Sequence, residues 1–394
     1  MKNSELFEKH MEKHGEEADS KIYFAPGRIN LIGEHLDYNG GTVFPGAINL
    51  GTYAVVNKRK DSQVNVFSNN FAEFGVASID LNDIRSSDYY GWASYVAGAF
   101  KLLKEKCKYS NGLNITIHGT LPNRSGLSSS ASIELLMIFI IQDIYDINLN
   151  SLEMAKTGKQ IENDYMLLPS GIMDQYAVAF GEEKSAISLD CNAMTHKVHT
   201  FDNDDYEFIV INTNKPRELI SSEYKNRKTE CEKALDILNA LSGKDNTYLT
   251  DYNLSELEMH KEKFEDEILY KRAFHVIDEN TRTLLAVNAF DEGAFHLFGE
   301  LMYASHESLR NMYEVTGNEL DTIIHTSRNL NYVLGARMTG AGFGGSAVAL
   351  VAKNHFEQYK ESVEEEYSAA VGYRPSLYQV RLSQGPTIIK EGAH

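Results

Sequence analysis

A chain of 394 residues, 42% hydrophobic and 24% charged, has the make-up of a folded globular protein and the length for two or three domains. Its 38 Lys and Arg against 56 Asp and Glu leave a net charge of −18, which repels nucleic acid and anionic membrane surfaces and argues against both as partners. The three cysteines, Cys107, Cys191 and Cys231, lie far apart and in no CxxC pair, so reduced thiols are expected rather than a disulfide framework or a zinc site. The polar, highly charged first 21 residues do not read as a signal peptide. The longest apolar run, residues 135–141, is too short to span a membrane. A cytoplasmic location is the expectation.

In chain order, residues 1–20 read as a charged amphipathic helix anchored by Leu6 and Met11. Residues 22–25 read as a strand stopped by Pro26-Gly27, and residues 51–67 as a β-rich stretch in which Tyr53, Val55, Val64 and Val66 alternate. Residues 92–107 have helical spacing. Residues 113–117 alternate as a strand, followed by a loop with Pro122 and Gly126 and then a strongly apolar helix over residues 131–145. Strand patterns recur at residues 186–189, 208–212 and 346–351. A charged helix covers residues 218–240, and the acidic stretch 245–266 suits an exposed connection or peripheral helix. The mixture points to an α+β architecture in two lobes, residues 1–200 and 201–394, although no clear linker marks that boundary.

Three glycine-rich stretches carry the chemistry. The first, residues 126–132, joins a predicted strand to an apolar helix. Its small residues let backbone N–H groups converge on an anion at a helix N-terminus, but a serine-rich N-cap accounts for the same residues. It is no Walker A loop, and no H-R-D or D-F-G of protein kinases is present. The second, residues 340–345, satisfies G-x-G-x-x-G but leads into a strand, which fits a tight turn or close backbone approach and not a dinucleotide fold. The third, residues 26–41, packs Arg28, Asn30, Glu34, His35 and Asp37 between glycines and apolar residues. Such polar groups suit sugar hydroxyls, a turn-rich surface loop being the plainer reading and a metal site the less favoured one.

Taken together, residues 26–41, residues 121–132 and residues 337–345 resemble the three motifs of the GHMP small-molecule kinases, and specifically their galactose-phosphorylating branch. Residues 171–175 resemble that branch's catalytic-aspartate segment and residues 221–227 its sugar-contacting tyrosine segment. Ser305, His306, Arg310 and residues 313–315 also match. The resemblance covers residues 25–385. It departs at Lys228, where arginine is frequent, at Ser346, where cysteine is frequent, and at Arg124, where glycine is frequent.

The resemblance implies a two-lobed fold with mixed or antiparallel sheets and an active site between the lobes. It also implies transfer of the γ-phosphoryl group of ATP to the anomeric hydroxyl of D-galactose. Asp174 would be the base, and Arg28 would stabilise the transition state while keeping Asp174 ionised. Glu34, His35, Leu36, Asp37, Gly171 and Tyr224 would bind the sugar. Ser68, Trp92, Arg124, Ser125, Gly126, Leu127, Ser128, Ser129 and Ser130 would hold ATP, with core packing an equal reading for Trp92. Ser130 and Glu162 would hold Mg²⁺, a hard cation that prefers oxygen ligands. Other readings are a kinase for a related sugar such as N-acetylgalactosamine, or a non-catalytic galactose sensor; the intact Ser130-Ala131-Ser132, Arg28 and Asp174 speak for catalysis. The oligomeric state is left open.

Overall fold

The computed structural model describes residues 3–15, 19–122, 125–168, 170–215 and 220–389. Its first strands are β1 (Lys21–Asn30), β2 (Thr42–Val43), β3 (Pro45–Lys58), β4 (Gln63–Ser68), β5 (Val76–Asp80) and β6 (Leu113–Gly119). There follow β7 (Ser185–Asp190), β8 (Thr195–Thr200), β9 (Tyr206–Asn212) and β10 (Val333–Thr339). The last are β11 (Ser346–Ala352), β12 (Ser376–Val380) and β13 (Thr387–Ile389).

Six of these strands form one sheet in the order β13-β1-β3-β6-β4-β5, antiparallel except for the parallel pair β4 and β6. Four form an antiparallel sheet, β10-β11-β9-β12, and three form a small one, β2-β7-β8. The class is mixed α+β, as the sequence pattern suggested. The last strand returns to the first sheet, where Thr387 pairs with Phe24.

The six-stranded sheet buries Val64, Val66, Ile115 and Ile117 against the helices Ser94–Leu103 and Ser129–Tyr145. The second helix is apolar on nearly every side because it lies inside this layer: Leu135, Leu136, Met137, Ile138, Ile140 and Ile141 are all fully buried. Each such side chain contributes about 1.5–3 kcal/mol. The four-stranded sheet packs Ile209, Ile211, Ala347 and Ala349 against helices that include Asn318–Arg328 and Phe356–Val371.

Two local expectations are corrected. The first helix spans Asn3–His14, and it is anchored by Leu6 and His10 while Met11 is exposed. His10 pairs with Thr116 Oγ1 at 3.0 Å and Asn57 Oδ1 at 2.7 Å, so a polar residue holds this helix to the sheet. Nor does Pro26-Gly27 stop the first strand. β1 continues to Asn30 with a register shift between Pro26 and Gly27, and its pairing with β13 ends at Phe24. Proline's missing N–H therefore removes no ladder bond on that side. This continuation carries Arg28 into the protein.

Candidate active site

Arg28 leaves β1 almost fully buried, and its guanidinium is divided between two partners. Nε and Nη2 each lie 2.9 Å from Asp174 Oδ1, while Nη1 donates to the Gly126 carbonyl at 2.7 Å. Asp174 sits in the first turn of the short helix Met173–Ala179. Its second oxygen accepts the Ser128 hydroxyl at 2.5 Å. A carboxylate receiving charged donors on one oxygen and a hydroxyl on the other is held in a single orientation.

That hydroxyl bears on the capping reading of residues 126–132. Ser128 occupies the N-cap position of the Ser129–Tyr145 helix with φ 61°, and it makes no side-chain capping bond. Ser132 likewise turns inward, donating to the Ala25 carbonyl and Thr52 Oγ1, both at 2.8 Å. The Ser128 and Ser132 hydroxyls thus bond to Asp174 and to β1 and β3, in place of a side-chain cap.

Asp174 lines a cavity together with Arg28, Glu34, His35, Asp37, Gly171 and Tyr224, so the predicted sugar residues converge, apart from Leu36, which is fully buried in the core behind them. Glu34 Oε1 accepts the Gly340 N–H at 2.7 Å and faces Arg337 Nη1 at 3.3 Å. Burial pushes its pKa up while Arg337 and then Arg28 pull it down. His35 has φ 63° and is buried, and that burial lowers its pKa to about 3, leaving a neutral imidazole. Asp37 is pushed up to about 7, by burial first and then by Asp174 and Glu34. A Cβ at Gly171 would stand 1.7 Å from Asp37 Oδ2, so only glycine allows the chain this close to that carboxylate. Tyr224 packs its ring 5.7 Å from that of His35.

A second cleft adjoins the loop. Ser68, Phe71, Trp92, Tyr95, Ser129 and Ser130 are among its walls. Trp92 stacks on Phe71 with 6.0 Å between ring centroids and 21° between planes, so it forms a flat wall at the cleft, in a 3₁₀ turn ahead of the Ser94–Leu103 helix. Ser125, Gly126 and Leu127 line neither cavity. Their carbonyls accept from the Ser346 hydroxyl at 2.7 Å, from Arg28 Nη1 and from the Arg28 N–H at 3.2 Å. The Ser346 departure therefore supplies a donor that ties the third motif to the loop. Arg124 lies outside the described residues.

Ser130 stands in the second cleft and Glu162 in the first. Glu162, in the π-helical turn Ile161–Tyr165, accepts from Gln175 Nε2 at 3.1 Å, and the same amide nitrogen donates to buried Glu134 at 3.0 Å. Among the described residues no three His, Cys, Asp or Glu side chains gather as a self-sufficient metal cage. A serine hydroxyl and a carboxylate are nevertheless the hard oxygen donors that suit Mg²⁺ when phosphates complete its shell.

Several working residues were read from the sequence only as members of matching segments, with no role of their own. Arg337 and Gly340 hold Glu34, and Tyr38 and Tyr313 back His35 through hydrogen bonds of 2.9 and 2.7 Å. The third motif was legible as a close-approach loop, and it is one: Gly340 has φ 85°, and a Cβ there would meet the Gly126 carbonyl at 3.0 Å. Phe71 and Tyr95 carried no signal beyond their aromatic character.

Comparison with known proteins identifies the family and the fold. The galactokinase galactose-binding signature matches residues 8–58, the GHMP kinases N-terminal domain residues 94–182 and the GHMP kinases C-terminal domain residues 286–369. The chain is 44% identical to a galactokinase of Streptococcus suis over 99% of both chains, and 44% identical to one of Enterococcus faecalis over 96% of this chain and 98% of the other. The crystal structure of Lactococcus lactis galactokinase complexed with galactose superposes with a TM-score of 0.93 at 42% identity, covering 98% of this chain and 99% of that one. Mevalonate kinase of Methanococcus jannaschii, at 20% identity and a TM-score of 0.65, shares the fold. With this identity sustained over its full length, the chain belongs to the galactokinase family of GHMP kinases.

Proposed function

We propose that this protein phosphorylates D-galactose at its anomeric hydroxyl, using ATP and releasing α-D-galactose 1-phosphate and ADP. The observation that carries this reading is the Asp174 carboxylate, held by Arg28 and Ser128 beside a loop whose next residues, Ser129 and Ser130, line the second cleft. A base so held faces a sugar on one side and a nucleotide on the other.

In this reading Glu34, His35, Asp37, Gly171 and Tyr224 orient the sugar in the first cavity, with Leu36 as the apolar support beneath. Ser68 and Trp92 hold the adenosine side of ATP in the second, and the end of the loop at Ser129 and Ser130 meets its phosphates. Asp174 takes the proton of the anomeric hydroxyl as that oxygen bonds to the γ-phosphorus and the bond to ADP breaks. Arg28 offsets the negative charge that gathers on the transferring group, and its permanent charge and fixed donors suit that task. Ser130 and Glu162 would hold Mg²⁺, which neutralises charge on the phosphates. The lobe assignment, residues 1–200 and 201–394, gives the sugar signature, loop and base to the first and Tyr224 and the third motif to the second.

No helix among the described residues is long and apolar enough to cross a membrane, and Cys107, Cys191 and Cys231 are free thiols. These features support a cytoplasmic enzyme acting on small molecules. An ADP-release assay across galactose, glucose, galactosamine and N-acetylgalactosamine tests the whole reading. Turnover is expected with galactose. No ADP with any sugar overturns the activity, and preference for N-acetylgalactosamine overturns the substrate.

A further inference from the structure

A chain of hydrogen bonds runs behind the first cavity and ends on His35. Cys231 Sγ lies 3.1 Å from the Tyr313 hydroxyl, which lies 2.7 Å from the Tyr38 hydroxyl, which lies 2.9 Å from His35 Nδ1. Tyr38 and Tyr313 are not among the cavity walls, whereas His35 is. Its other ring nitrogen, Nε2, is buried without a hydrogen-bond partner among the described residues. The Ala341 carbonyl, another cavity wall, lies close enough to favour a proton on the ring yet completes no bond with that nitrogen. The ring itself cannot swing away. The His35 backbone is held at φ 63°, its carbonyl accepts Asn39 Nδ2 at 2.8 Å, and its faces meet Tyr224 and Tyr313.

The direction of the chain follows from which group accepts best. Each phenol has one proton and stands between two neighbours. A thiol is a weak acceptor, while a neutral imidazole nitrogen is a strong one. Run from the thiol inward, Cys231 donates to Tyr313, Tyr313 to Tyr38 and Tyr38 to Nδ1, and every proton meets an oxygen or nitrogen acceptor. Run outward, the last phenol proton is left to a sulfur. The inward order occupies the Nδ1 lone pair, so the ring's single proton sits on Nε2.

We propose that Tyr38, backed by Tyr313 and Cys231, is a positioning residue that fixes His35 as an Nε2–H donor, so that the cavity selects a sugar hydroxyl able to accept at that point. This deepens the reading of the cavity as the sugar site and rests on it. A hydroxyl missing or inverted there leaves a buried donor unpaired, the kind of loss that separates close analogues most strongly.

The tautomer is measured first, by ¹⁵N-resolved imidazole NMR on the unliganded protein, which requires neither substrate nor activity. A pyrrole-type Nε2 and a pyridine-type Nδ1 are expected for His35; a proton on Nδ1 overturns the proposal even if galactose is phosphorylated. In Tyr38→Phe the Nδ1 signal should move toward a tautomer mixture, and the galactose KM should rise about tenfold with the ATP KM unchanged. Monodeoxygalactoses separate positioning from general loosening. One deoxy position should lose the extra penalty of Tyr38→Phe, whereas an equal penalty for every sugar, or an unmoved tautomer, refutes the assignment. Tyr313→Phe provides a second break in the same chain and should shift the tautomer in the same direction.

Discussion

The Ser128 hydroxyl donates to Asp174 across 2.5 Å, although Ser128 holds the N-cap position of the Ser129–Tyr145 helix, where a serine ordinarily serves the helix backbone. With Arg28 on the opposite oxygen at 2.9 Å, the carboxylate is oriented from both sides. Replacing Asp174 with Asn keeps the shape and removes the proton acceptor. Turnover should fall by about 10²–10⁴ or more, with galactose binding by calorimetry largely kept. Ser128→Ala should lower kcat by a smaller factor. An Asn variant with ordinary kcat would remove Asp174 from the mechanism.

Gly171 permits a contact no other residue could share, since its Cβ would fall 1.7 Å from Asp37 Oδ2. Gly171→Ala must displace Asp37 or the loop carrying it. We expect the galactose KM to rise at least about tenfold with little change in the ATP KM, as a displaced binding group loses about 1.4 kcal/mol or more. Steady-state kinetics with each substrate varied in turn checks this, and a normal galactose KM would show that Asp37 does not need its present position.

Asp37 also sets a pH dependence. Its folded pKa of about 7 stands above its ordinary 3.8, so between those values the folded state keeps a proton that the unfolded chain gives up. Stability from this group is therefore greatest at low pH and falls as pH rises from about 4 to about 7. His35 works in the opposite sense: lowered from 6.5 to about 3, it adds stability as pH rises through that interval. Asp37→Asn removes the first effect alone. Urea denaturation should find the variant more stable than wild type at pH 7.5, with the difference shrinking toward pH 4. A constant difference across that range contradicts the shift.

Arg337 is fully buried and faces Glu34 Oε1 at 3.3 Å while donating to the Asn30 carbonyl at 3.0 Å. Arg337→Met leaves the Glu34 carboxylate buried without its principal cation. Breaking such a pair costs about 3–5 kcal/mol, so a large fall in melting temperature is expected. The double variant with Glu34→Gln should recover part of the stability but not galactose binding. Calorimetric unfolding of the two variants separates these effects.

Ser130→Ala and Glu162→Gln should each raise the Mg²⁺ concentration that half-saturates turnover. They should also weaken Mn²⁺ binding to the protein–ADP complex, read by electron paramagnetic resonance. Unchanged Mn²⁺ affinity in both variants would assign the cation to other groups.

Much of this protein was legible in the chain itself. Alternation marked most of β6, because a strand's two faces repeat every second residue, and short apolar runs marked most of β7, β9 and β11 as buried strands. The apolar run in the Ser129–Tyr145 helix marked a buried helix. Motif order placed Arg28, Glu34, His35, Asp37, Asp174 and Tyr224 together before any contact was known, and the fold brings all six to one cavity. What local sequence could not decide was partnership across long separations. Whether Pro26 ends a strand depended on where β13 stops, more than 350 residues away, and whether Ser128 caps a helix depended on an aspartate 46 residues on. Likewise His10 looks unremarkable in the chain, and Arg337, Tyr38 and Tyr313 stand there only as members of motifs without a role, since a polar residue's role is set by the partner that meets it when water is excluded. Residue type and spacing determined the chemistry available to this protein; the tertiary structure alone decided which group hands its hydrogen bond to which.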